Sequence, residues 1–332
     1  MADSTLTSVR PAQTAAEQFV ALRTGAGLVP LASGWIAVTG GDRVRWLNGM
    51  VTNSVQALTP GDGAYTFLLS AQGRIQGDAT VWAEPNRLLL QTAPAQVEPM
   101  IALLDRFIIM DDVELADLSA EMHGLLLAGP GAVEKLAAIG IPARASRLMK
   151  RQAADWQGRP IIMITAHSPI VPRFELWADS TADLDRLAAA LQDTGATACD
   201  DDGLELLRIA EGTPRFGTDI RDRDLPQETA QTRALHFNKG CYLGQEIVER
   251  IRSRGNVHRT FTTFALTGEV PAAGTALTAE GKSVGELTSI AAEPIDGERL
   301  ALGFVRREAI DRALPLTYEG GAAAPHSDTA AS

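Results

Sequence analysis

The residues best suited to chemistry crowd into one stretch, Phe237-Asn-Lys-Gly-Cys-Tyr-Leu-Gly-Gln-Glu-Ile-Val-Glu-Arg250. It holds Cys241, one of two cysteines in the chain; the other is Cys199. It also holds Lys239, one of four lysines among 30 basic residues, the rest being Arg. A lysine in an arginine-using chain points to a position that wants a compact ammonium and not a planar fork. Ile247 and Ile251 lie four apart and predict a helix. The turn Asn238 to Gly240 leads into it, and Gly240 and Gly244 permit tight backbone approach. Cys241 is therefore expected at or just before a helix N-terminus, where unpaired N–H groups favour an anion. A thiolate is favoured in such a place, and more so beside an ammonium. The competing reading of Cys241 is a small buried core residue.

Elements must exist to position that sulfur, and the bulk composition allows them. The chain has 332 residues, enough for two domains or three small ones. Hydrophobic residues make up 45% and aromatics 5%, so the core rests on Leu, Ile, Val and Ala. The net charge of −11 argues against a nucleic-acid partner, which needs a basic surface. No apolar run reaches the roughly 18 residues that span a bilayer, so no membrane partner is expected. Met1 to Gln18 carries Asp3 and Glu17 and lacks the apolar core of a signal peptide. With two cysteines and no CxxC, the expectation is a cytoplasmic protein. His123, His167, His236, His258 and His326 show no ligand spacing with Cys. An iron–sulfur cluster usually takes about four thiolates, so no permanently bound metal is expected, and transient ligation through Cys241 would need a partner or a second subunit.

The pattern along the chain predicts an α+β class. Short strands are expected at Gly27 to Leu31 and Trp35 to Thr39, and Asp42 is expected to cap a helix carrying Trp46 and Leu47. Ser70 to Gly73 turns a hairpin between Tyr65–Leu69 and Ile75–Trp82. The expected units are an N-terminal α+β lobe over 20–118 and a second α+β lobe over 119–255. A small β-barrel follows over 256–319, with a disordered Gly/Ala/Ser tail over 320–332.

Lys239 to Glu246, KGCYLGQE, resembles the signature of YgfZ-type proteins, which are similar to the folate-dependent aminomethyltransferase of glycine cleavage (the GcvT-like family). Gly34 to Val55 with its Thr52-Asn53, the hairpin Thr66 to Ile75, and Arg208 to Gly217 followed by Leu225-Pro-Gln-Glu228 resemble further segments of that family. So do Gly285 to Ser289 and Ala301 to Arg306, and the likeness covers roughly residues 20–315. It implies an aminomethyltransferase-like ring of lobes around a central folate pocket, with a C-terminal β-barrel. It also implies tetrahydrofolate or a derivative as ligand, and iron–sulfur enzymes or their assembly machinery as partners.

The family's functional Lys and Cys fall on Lys239 and Cys241, which are expected to face the folate pocket. Gln245 and Glu246 match further signature positions and are candidate ligand contacts. A pterin edge suits a carboxylate and a glutamate tail suits Arg. Glu175 matches a pterin-binding Glu, Arg208 an Arg of the family's helix, and Asp78 a position of acidic character. Glu175 and Arg208 have bland readings as a strand-surface charge and a helix-surface ion pair. Arg250, Arg252, Arg254, His258 and Arg259 form a basic cluster that suits a polyglutamate tail, an acidic partner or a solvated face. The leading expectation is a tetrahydrofolate-binding accessory protein for iron–sulfur enzymes. One alternative is a folate-dependent aminomethyltransferase or methyltransferase, against which the single acid of Gly77-Asp78 and the Cys of the signature speak. The other is a thiol redox protein without folate.

Overall fold

The computed structural model describes residues 13–143, 148–255 and 257–326. The end of the expected tail, from residue 327, lies outside them. Helix α1 (Ala15–Thr24) starts in a capping box between Thr14 and Glu17. Strands β1 (Gly27–Leu31) and β2 (Gly34–Thr39) follow, then α2 (Arg43–Met50), β3 (Gly63–Leu69), β4 (Ile75–Ala83) and β5 (Leu88–Thr92). Next come α3 (Val97–Asp105), β6 (Glu114–Asp117), β7 (His123–Ala128), α4 (Ala132–Ala138), β8 (Lys150–Trp156) and β9 (Arg159–Thr165). Then run β10 (Arg173–Ala178), α5 (Thr181–Asp193), β11 (Thr197–Ala198), α6 (Asp201–Ala210) and α7 (Gln245–Arg254). The last part holds β12 (Arg259–Gly268), β13 (Ala276–Ala279), β14 (Lys282–Ile290), β15 (Arg299–Arg306), α8 (Arg307–Asp311), β16 (Leu316–Tyr318) and β17 (Gly321–Pro325).

These elements form two open sheets and a closed barrel. The first sheet has the order β3-β4-β5-β2-β6 and the second β11-β1-β7-β10-β9-β8. The barrel closes as β12-β15-β14-β13-β16-β17. Strand β10 shows how sequence alternation sets the layers. Phe174 and Leu176 pack under α5 with Leu184 and Leu187, while Trp177 faces the first sheet and packs with Trp35 and Trp82. Trp35 and Trp177 meet edge to face, ring centroids 4.9 Å apart, a contact worth about 0.5–1.5 kcal/mol beyond its buried area.

Three expectations are corrected. Strand β1 belongs to the second sheet, paired antiparallel with β7 from Gly27↔Ala128 to Leu31↔Gly124, so the lobes exchange chain near the N-terminus. Leu28 and Val29 are fully buried there, which drives the exchange. Residues 321–325 are strand β17, not tail: they pair with β12 from Phe264↔Pro325 to Gly268↔Gly321. Small residues serve because a side chain at Gly321 would stand 2.5 Å from the Tyr318 ring and hydroxyl. Asp42 precedes α2, but its carboxylate accepts from the Asp112 N–H at 3.0 Å and makes no helix cap.

The signature segment is locked to the β3–β4 hairpin by two glycines. Gly244 sits at φ +78° before α7, where a Cβ would lie 2.5 Å from the Ser70 carbonyl oxygen. Gly73 sits at φ +72°, where a Cβ would lie 2.7 Å from Cβ of Ile247. Gly244→Ala is expected to cost about 1–3 kcal/mol, since strain and a backbone clash coincide. Gly240, with open space around it, should tolerate Ala within about 0.5 kcal/mol. Urea unfolding of the two variants checks the contrast.

Candidate functional site

A cavity of about 1040 Å³ opens where the two sheets meet α6 and the segment that follows it. On its floor is Glu175 of β10, buried. Its Oε2 accepts from Gln91 Nε2 at 2.7 Å and from Trp177 Nε1 at 3.1 Å. Gln91, on β5 of the other sheet, in turn accepts from Trp82 Nε1 at 2.9 Å. This chain of bonds fixes the carboxylate across the sheet-to-sheet interface. Oε1 has no hydrogen-bond donor among the described residues; Arg173 Nη2 stands 3.9 Å away, too far for a bond.

Asp78 of β4 also lines the cavity. Tyr65 donates its hydroxyl proton to Oδ2 at 2.6 Å and Gln96 Nε2 donates to Oδ1 at 2.7 Å. Burial pushes the Asp78 carboxyl up, against the pull of those two bonds and of Arg233. Arg208 lines the cavity but is spent. Its Nε and Nη2 donate to Glu205, Nη1 to Asp219 and the Thr213 carbonyl, and Nη2 also to Ser289 of the barrel. All five donors are used, so the guanidinium joins α6 to the barrel and has no N–H left for a ligand.

The signature lies on the far side of a wall. Tyr242 and Val248 are buried with Phe67, Leu69 and Ile75, and the same cluster reaches Tyr65 and Phe216, which line the cavity. Cys241 is exposed and neither it nor Lys239 lines the cavity, contrary to expectation. The helix begins four residues after Cys241, at Gln245, so the sulfur stands on the approach turn. Gln245 and Glu246 are likewise outside the cavity lining. Gln245 Oε1 accepts from the Tyr242 N–H at 3.1 Å, a bond that shapes the turn, and Glu246 is exposed in the first turn of α7. Cys199 is sealed in the core, and burial pushes its thiol up to about 11.

Lys239 anchors the turn. Its ammonium donates to the carbonyls of Asn48 at 2.6 Å, Val51 at 2.7 Å and Asn53 at 2.7 Å. These carbonyls cluster at the C-terminal end of α2, the negative end of its dipole. Burial pushes Lys239 down to about 8, so it remains charged at neutral pH. Thr52 and Asn53 extend the clamp. Thr52 Oγ1 donates to the Ala234 carbonyl, and Asn53 Nδ2 to the carbonyls of Tyr65 and Arg233, all within 2.7–2.9 Å.

Of the basic cluster, Arg259 is committed to Asp224 and Glu228, Arg252 stacks on Phe237 and approaches Glu249, and Arg250 is exposed. The Arg254 side chain lies outside the description. Sequence reasoning missed Tyr65, Gln91, Arg173, Glu211 and Arg233 as cavity residues. A signal existed for one: Arg173 is two residues from Glu175 on a strand and must share its face. Among the described residues, no group of three or more His, Cys, Asp or Glu could hold a metal ion. No helix there is long and apolar enough to cross a membrane.

Residues 9–239 match the family of the GCVT N-terminal domain, and residues 259–329 match the CAF17 C-terminal β-barrel domain. The chloroplast protein At1g60990 of Arabidopsis thaliana is 25% identical over 83% of this chain and 64% of its own length. The mitochondrial iron–sulfur cluster assembly factor IBA57 homolog of Mycosarcoma maydis is 28% identical over 72% of this chain and 57% of its own. The chain thus spans less than two thirds of either protein. The crystal structure of the glycine cleavage system aminomethyltransferase T from Bartonella henselae superposes with a TM-score of 0.84, covering 97% of this chain and 94% of that one at 20% identity. The fold is that of the aminomethyltransferase, with a closed six-stranded barrel at its C-terminal end.

Two outcomes are expected from the turn's geometry. Lys239→Met strands three carbonyl acceptors and should cost about 2–4 kcal/mol in denaturant unfolding, with Lys239→Arg restoring only part, because a planar fork cannot reproduce the tripod. Iodoacetamide should label Cys241 in the native protein and Cys199 only after unfolding, as read by peptide mass mapping.

Proposed function

The chain belongs to the GCVT N-terminal domain family, and on that footing we propose that it is a tetrahydrofolate-binding accessory protein of the YgfZ type. It supports assembly or repair of iron–sulfur enzymes, with Cys241 as the group offered to the partner. The observation that carries this reading is the two-sided wall: a ligand-sized cavity with a fixed, half-satisfied carboxylate on one face, and an exposed cysteine on the other. The match of the C-terminal region to the CAF17 barrel and the likeness to an iron–sulfur cluster assembly factor support the choice of partner.

The cavity suits a reduced folate. Its volume is at the upper end of small-molecule sites, about 300–1,000 Å³. Glu175 keeps one oxygen for the N–H edge of a pterin, and Gln91 and Trp177 prevent the carboxylate from turning away. When bound, the folate supplies nitrogens that carry one-carbon units. Asp78 is a poor base for transfer chemistry: both its oxygens already accept hydrogen bonds and burial favours its protonated form. This argues for binding over aminomethyl transfer. Cys241 supplies one of the roughly four ligands a cluster takes, so a cluster would be cargo shared with the partner.

Calorimetric titration with tetrahydrofolate should show saturable binding, and Glu175→Gln should weaken it at least about tenfold, as one lost charge-assisted bond implies. Cys241→Ser should bind folate like the parent but fail to restore iron–sulfur enzyme activity in cells lacking the protein. No heat with tetrahydrofolate defeats the folate half of this reading, and full rescue by Cys241→Ser defeats the other.

A further inference from the structure

Two guanidiniums on the cavity wall, Arg173 and Arg233, keep N–H donors that meet no acceptor among the described residues. Arg233 Nε donates to Gln231 at 3.2 Å, and its guanidinium carbon lies 4.2 Å from the Tyr65 ring centroid. Its terminal nitrogens meet no acceptor among the described residues. Arg173 has a buried Nε without an acceptor, and its Nη2 stands 3.9 Å from Glu175 Oε1, an ion pair too long for a hydrogen bond. The other arginines of the cavity differ: Arg208 has used all five donors, and Arg215 pairs with Glu205.

The surrounding groups offset these charges only in part, Glu175 standing 3.9 Å from Arg173. Glu211 feels both guanidiniums but forms an ion pair with neither; it accepts from Ser168 Oγ, and burial pushes its carboxyl up, toward the neutral form. Asp78 is pushed the same way. His167, next to both arginines, is pushed down to about 4 by burial and by their charges, and is neutral at pH 7. Two like charges facing a cavity are costly to bury unless an anion joins them.

We propose that Arg173 and Arg233 form a carboxylate-binding site in the central cavity. Two planar forks suit a carboxylate, which accepts parallel N–H bonds from each. The carboxylate is either that of a folate tail or that of a separate small acid held beside the folate. The site does not depend on the folate reading, since Glu175 recognises donors and the arginine pair recognises an acceptor.

Succinate is the probe, titrated into the whole protein by calorimetry at low ionic strength without folate. Saturable binding is expected, weakened at least tenfold in Arg173→Gln and in Arg233→Gln, each with parental melting behaviour. A folate-tail site would make succinate compete with tetrahydrofolate, and Arg233→Gln would then weaken tetrahydrofolate but not tetrahydrobiopterin, which carries no carboxylate. A separate-acid site would let succinate bind the tetrahydrofolate complex undiminished. Either pattern supports the proposal. Succinate binding that is absent, or unchanged in both variants, overturns it. Should a variant not fold, phenylglyoxal labelling of the parent decides: succinate must protect Arg173 and Arg233, and lack of protection overturns the site. Because no folate enters the first titration, its failure is read apart from failure of the folate reading.

Discussion

One ammonium group holds the signature in its working shape. Lys239 donates to three carbonyls that the end of α2 would otherwise leave facing one another. Helix ends carry unsatisfied carbonyls, and a compact cation with three donors is the side chain that can reach several at once. The turn bearing Cys241 follows directly from that anchor. Leu243 donates its N–H to the Gly49 carbonyl, and His236 to that of Thr52, so residues 236–243 are laced at both ends to the last turn of α2 and the segment after it. The two glycines then seat the start of α7 against the β3–β4 hairpin. An exposed sulfur on a well-held turn is the result.

The same lacing shapes the cavity from behind. Thr52 and Asn53 bind the backbone of residues 233–234 to β3, which brings Arg233 over the Tyr65 ring. The cavity wall and the signature are thus two faces of one packed layer around Phe67, Leu69 and Tyr242. A ligand in the cavity and a partner at Cys241 would press on opposite sides of that layer. On the remaining side, Arg208 and Asp219 tie the barrel to α6. Asp219 accepts from both Thr288 and Ser289, so buried charge there is paired and hydrogen-bonded. The barrel is a structural buttress of the cavity as well as an attached unit.

The carboxylate of Glu175 depends on both sheets. Its second-lobe strand presents it, but Gln91 of the first lobe holds it, with Trp82 behind. A change at the sheet interface would therefore reach the cavity without touching its lining.

Much of the architecture was legible in the chain itself. The Leu- and Ile-rich alternation, the Ser70 to Gly73 hairpin and the helix carrying Ile247 and Ile251 are local signals, because side-chain period and turn chemistry act within a few residues. The KGCYLGQE run singled out Cys241 and Lys239, and the scarcity of lysine hinted that an ammonium was needed at 239. Tertiary structure decided what those residues face. That Lys239 is spent on α2, some 190 residues earlier, that Arg208 gives one of its donors to Ser289 of the barrel, and that Cys241 lies outside the cavity lining all depend on long-range contacts. So does the role of residues 321–325, whose Ala-rich sequence becomes a strand because β12 and β16 offer edges to pair on its two sides. Composition and period reveal which groups can bond; only the closed chain reveals which donors and acceptors have already been used.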